Sequence, residues 1–143
     1  MSGAAAGCPL CEADGGLLLV RHAHWRLVRA DEPGFPAFYR VVWNEHAREF
    51  SDLSAPQRTE CMEAVVAVET LLREHLQPTK VNLATLGNAV PHLHWHVIAR
   101  FDWDSHFPGA VWAGAQRQPA AEHLAEVLAR RPALEQALVS RLG

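Results

Sequence analysis

Apolar positions along the chain fall into two regimes. Up to about residue 43 they form short runs, GLLLV at 16–20, HWRLVRA at 24–30 and YRVVW at 39–43, with the turn-forming segment DEPGFPAF before the last. Short apolar runs bounded by Gly, Pro and Asp read as strands, so this part predicts a meander. The spacing then changes, and Cys61, Val65, Val68, Leu72 and Leu76 recur every three or four residues. That is the stripe of one long helix, with Ser54 as its N-cap, Pro56 in its first turn and Pro78 just beyond its end. KVNLATL, a GN turn at Gly87 and Asn88, and VPHLHWHVIAR at 90–100 follow as a β-hairpin-like unit. From Pro119 the chain is helical in composition, and Pro132 is expected to divide it into two pieces. Strands and helices grouped in this way predict an α+β fold, an antiparallel β-sheet meander with one long central helix and additional C-terminal helices. A domain over 8–118 then carries a helical extension, 119–143, packed on the same body. The lead, MSGAAAG at 1–7, is small and unpatterned and predicts a flexible N-terminus.

Composition narrows the function classes. A chain of 143 residues with 49% hydrophobic content suits one domain with an ordinary core. A net charge of −3 and the lack of a Lys/Arg block argue against a nucleic-acid polymer as partner. No apolar run approaches about 18 residues and no export leader is recognisable, which points to a soluble, cytoplasmic protein without membrane attachment. Three cysteines do not suggest a disulfide framework; Cys8 and Cys11 in CPLC have the spacing of a metal hook or a redox pair.

His92, His94 and His96 alternate with apolar residues, so a strand through them places all three imidazoles on one face. Pro91, which lacks a backbone donor, suits the start of such a strand. Imidazole titrates near neutrality and can serve as nucleophile, proton donor or metal ligand. A single histidine on a strand is more often a packed residue; three in alternation beside a glycine turn favour chemistry. His94 needs one ring nitrogen protonated to expose a lone pair on the other, most simply by donating to a backbone carbonyl. His96, in protonated form, would offset phosphate charge and protonate a leaving oxygen. Backbone N–H groups at Gly87, Asn88 and Ala89 could cradle an anion, the glycine allowing close approach. His22 and His24 also alternate, but with neither cysteines nor a glycine turn nearby they read as surface strand residues. Asp102 and Asp104 read as solvated loop carboxylates.

HLHWHVI resembles the signature of the histidine triad (HIT) superfamily of nucleotide hydrolases and transferases. The resemblance extends through CPLC, PGFPAFYRVVWNEHAREFSDL, NLATLGNAVPHLHWHVIARF and FPGAVW, roughly residues 8 to 112. Within the superfamily it is most similar to the bacterial diadenosine tetraphosphate hydrolase-like group. It implies a HIT-like fold, a homodimer and a purine nucleotide substrate. By resemblance, His94 attacks the α-phosphate and His96 contacts the phosphate and leaving group, passing through a nucleotidyl-histidine intermediate, while His92 supports the strand or ligates a metal. Asn82 maps to a phosphate-side asparagine and Trp112 to a residue that covers the nucleotide pocket, across a dimer in relatives. Some bacterial relatives hold a structural zinc at positions corresponding to Cys8, Cys11, His46 and His92; no organic cofactor is implied. The chain departs from many relatives at Asn88 and Ala89, where they carry Gln and then Ser or Thr, and at Phe38, where they carry His. Alternatives are a nucleotide-binding or sensing module with little turnover, an adenosine phosphoramidate hydrolase, and a plain metal-binding protein.

Overall fold

Alternation of inward and outward residues builds a five-stranded sheet whose two faces have different work to do. The computed structural model describes residues 3–143, so residues 1 and 2 of the expected flexible lead lie outside the described residues. In chain order the elements are α1 (Pro9–Glu12), β1 (Leu17–Arg21), β2 (Trp25–Arg29), β3 (Phe38–Trp43), α2 (Ala55–Leu76), β4 (Lys80–Ala84), β5 (His94–Arg100) and α3 (Ala121–Leu142). The strands are antiparallel in the order β1-β2-β3-β5-β4. This is the α+β meander and long helix that the apolar spacing predicts.

One sheet face, with Leu27, Tyr39, Val41, Val97 and Ala99, packs on α2 and α3 in the main core. The other carries Arg26, Val28, Arg40, Val42, His94 and His96, because side chains two residues apart share a face. Helix α2 buries Cys61, Ala64, Val65, Val68, Leu71, Leu72 and Leu76. Each fully buried Leu there contributes about 1.5–3 kcal/mol relative to exposure. The helix starts in a reciprocal cap: Ser54 Oγ accepts from Gln57 N–H at 3.3 Å, and Gln57 Oε1 accepts from Ser54 N–H at 3.0 Å. It ends with Gln77 in a left-handed conformation (φ 45°), followed by Pro78.

Four details differ from the sequence reading. Helix α3 runs unbroken through Pro132. The proline is on the solvent side, so water can solvate the Leu128 carbonyl it leaves unpaired, while buried Val127, Leu134 and Leu138 anchor the helix on both sides of it. The connection between β4 and β5 is the segment 85–93, longer than a GN turn. Strand β5 begins at His94, because the chain turns at Val90, whose carbonyl accepts from His92 N–H at 2.8 Å. His22 and His24 lie in the β1–β2 connection rather than on a strand; His24 stacks on Trp43 at 5.6 Å and pairs with Glu60 at 3.0 Å.

Candidate active site

The histidine face opens into a pocket of about 750 Å³, lined in part by Arg40, His94, His96, Trp112 and the loop residues Gly87, Asn88 and Ala89. Pro9, Leu10 and Ala13 of the N-terminal segment form the facing wall. Gly87 has φ +72°, a conformation glycine adopts without strain, and this turns the loop along the pocket rim. Ala89 offers no hydroxyl there. Trp112 is 53% exposed, and its ring lies 5.1 Å from that of His96.

His94 is at the first position of β5, and its Nδ1–H donates to the His92 carbonyl at 2.6 Å. This fixes the tautomer and leaves the Nε2 lone pair free. Burial pulls its pKa below the ordinary histidine value, against the opposing effect of that hydrogen bond, and Arg40 lowers it further. His96 lies 4.9 Å from His94, ring to ring, with Phe38 edge-on at 5.5 Å. Burial, then His94 and Arg40, push His96 down to about 3. Burial thus favours the neutral form of both rings in the free protein.

His92 faces a different cluster and does not line the pocket. Its Nδ1 lies 3.3 Å from Cys8 Sγ and 3.5 Å from Cys11 Sγ, while His46 Nδ1 lies 3.4 Å from Cys11 Sγ. The four donor atoms fall within 4.8 Å of one another, close enough to bind one metal ion. The tautomer also fits ligation: His92 Nε2–H donates to the Trp43 carbonyl at 2.6 Å, which leaves the Nδ1 lone pair toward the thiols. Two thiols and two imidazoles form a donor set suited to tetrahedral zinc. The CPLC segment is thus held at both ends, since Ala5 N–H also donates to Cys11 Sγ.

Several contributors were not visible in the sequence. Arg26, nearly fully buried, donates to the carbonyls of Leu10, Ala13 and Asp14 and fastens the N-terminal wall to the sheet. Arg40 reaches the pocket from β3. Asp104, expected as a solvated carboxylate, is buried and bound to Arg100. Arg100 also donates to Asn82 Oδ1 at 2.9 Å, so the Asn82 side chain, on the same sheet face as His96, is engaged beside the pocket in a neighbouring groove with Ala84, Ala110 and Trp112. An apolar-polar pattern cannot distinguish such arginines from solvated ones, because their burial is set by parts of the chain that only the fold brings together.

The profile of the HIT domain matches residues 16–103, from the start of β1 to just beyond β5. The chain belongs to the histidine triad (HIT) family. Its HIT domain resembles the crystal structure of a histidine triad protein from Bradyrhizobium japonicum, with 30% identity over 86% of this chain and 90% of that one, at a TM-score of 0.70. A histidine triad protein from Marinobacter aquaeolei VT8 shares 27% identity over 87% of this chain and 92% of its own, at a TM-score of 0.68. A HIT protein from Sinorhizobium meliloti 1021, 23% identical over 87% and 90% of the two chains, shares the fold at a TM-score of 0.68. No curated protein matches the chain by sequence. Membership in the HIT family supports a nucleotide-binding or nucleotide hydrolase/transferase role. Among the described residues no helix is long and apolar enough to cross a membrane.

Proposed function

We propose that this HIT protein cleaves purine nucleoside phosphate derivatives at the α-phosphate, with dinucleoside polyphosphates of the diadenosine tetraphosphate type as the leading substrate class. The observation that carries this reading is His94: a neutral imidazole at the pocket, with Nδ1–H tied to the His92 carbonyl and Nε2 free. In the first step Nε2 attacks the α-phosphorus, the bond from phosphorus to the leaving group breaks, and the bonding pair departs with that group. In the second, water attacks phosphorus, the P–N bond breaks, its electrons return to Nε2, and nucleoside monophosphate and a proton are released. His96 contacts the phosphate as a neutral ring, and an approaching anion favours its protonated form. Gly87, Asn88 and Ala89 border the phosphate from the rim. Trp112 offers an aromatic surface beside His96 for the base.

The metal in this reading is zinc, held by Cys8, Cys11, His46 and His92. When bound it supplies structural bracing of the N-terminal wall, and the reaction steps belong to the chain's own groups. The reading includes a homodimer, with exposed Leu83, Leu86 and Trp112 near edge strand β4 available for the partner; sedimentation as a monomer at micromolar concentration would remove that part.

The test is intact-protein mass spectrometry of wild type and His94→Ala, quenched soon after mixing with diadenosine tetraphosphate or adenosine phosphoramidate, with AMP release followed in parallel. The expected result is an adenylyl adduct or AMP release that disappears in the variant. Binding of AMP with neither adduct nor release from either substrate would instead make the protein a non-catalytic nucleotide-binding module.

A further inference from the structure

Arg40 stands directly across from His96 in the β3–β5 register. It is the one charged side chain among the described residues lining the pocket. One terminal nitrogen donates to the Gly15 carbonyl at 3.0 Å, but the Glu32 carboxylate is 3.8 Å away, too far for a hydrogen bond. The guanidinium Nε is buried and has no hydrogen-bond partner among the described residues. A buried donor without a partner is unfavourable, so an acceptor that enters the pocket has an unsatisfied group to pair with. The Phe38 ring lies 5.5 Å from the guanidinium carbon and flanks His96 as well, which keeps cation and imidazole beside each other.

We propose that Arg40 binds the anionic leaving group, so that the site favours substrates whose α-phosphate is joined to phosphate or polyphosphate over those joined to an amine. This rests on the nucleotide hydrolase reading above. An amine leaves only after it acquires a proton. A polyphosphate leaves as an anion, with the bonding pair on its bridging oxygen, and requires a cation rather than a proton. Among the described residues lining the pocket Arg40 is the one permanent cation, and it stands across the sheet from His96. As the His94 Nε2–P bond forms and the P–O bond to the leaving polyphosphate breaks, the developing negative charge falls to Arg40, and no proton is consumed.

The experiment compares kcat/KM for diadenosine tetraphosphate and adenosine phosphoramidate in wild type, Arg40→Met and Arg40→Lys. Both substrates present the same adenylyl group, so the ratio of the two values isolates the leaving group. In Arg40→Met the ratio of polyphosphate to phosphoramidate cleavage should fall roughly a hundredfold, the scale of losing one preorganised donor, and Arg40→Lys should restore part of it. A ratio that stays within threefold overturns the proposal, whatever the common loss, since a merely structural Arg40 would lower both substrates together. If wild type cleaves neither substrate, the hydrolase reading fails separately and binding decides for Arg40. Arg40→Met should then weaken ATP at least tenfold more than AMP, and equal weakening overturns the assignment.

Discussion

Asp104 accepts two hydrogen bonds from the Arg100 guanidinium, from Nε at 2.8 Å and from a terminal nitrogen at 3.0 Å, with both side chains only 2% exposed. Burial alone would raise the Asp104 pKa, but Arg100 and the backbone N–H groups of Phe101 and His106 keep it below the ordinary carboxylate range. The same guanidinium donates to the Gly109 carbonyl, so the pair fixes the segment that brings Trp112 over the pocket. Arg100→Leu leaves a buried carboxylate unpaired and should cost about 3–5 kcal/mol in urea denaturation. Adding Asp104→Leu should recover part of that loss. A single-variant cost below about 1 kcal/mol would contradict this account.

The buried His96 ring makes stability depend on pH. The unfolded ring binds a proton below about 6.5, the folded ring only near 3. Between those values the unfolded chain carries the additional proton, so stability rises with pH across the window and is fully present above it. Moving from pH 7 to pH 5 should remove about 2 kcal/mol through this group. His96→Phe should flatten that slope in urea titrations at the two pH values, and an unchanged slope would count against the neutral buried ring.

Metal removal should loosen the pocket wall as well as the chain. Purified protein is expected to hold one zinc per chain, and Cys8→Ser to lose stoichiometric metal. Chelation should lower Tm by about 10 °C, since metal bound only by the folded state contributes directly to folding. Elemental analysis showing far less than one zinc per chain would eliminate the zinc assignment.

Pro132 interrupts one hydrogen bond of α3 at an exposed position. Pro132→Ala should therefore stabilise the protein by about 1–3 kcal/mol without opening a cavity. Thermal unfolding checks this, and a lower Tm would show that the ring is needed for packing.

What could be read in advance was whatever local signals determine. Ser54, Pro56 and Pro78 mark the ends of α2 within a few residues of themselves. The alternation of His92, His94 and His96 was equally local, and it led to the family. Where β5 starts was not, because it depends on remote carbonyls: Leu93 N–H donates to Ala47 at 2.7 Å and the His92 ring to Trp43 at 2.6 Å. Arg26 and Arg40 were hidden for the same reason, and Arg100 and Asp104, though only four residues apart, because their burial depends on the fold around them. Each resembles an ordinary surface charge until the fold closes around it, and Pro132 broke no helix because tertiary anchors on both sides outweighed a local preference.

The four-residue helix α1 interleaves two tasks along one strip of chain. Cys8 and Cys11 turn toward the His46 and His92 rings, while Pro9, Leu10 and Ala13 turn toward the pocket. Leu10 serves both, since it also packs on Cys8 and Cys11, whereas Ala13 belongs to the lining alone. Enlarging Ala13 would reshape what the pocket admits without replacing any side chain of the Cys/His cluster, which makes this short segment the natural place to retune the choice of substrate.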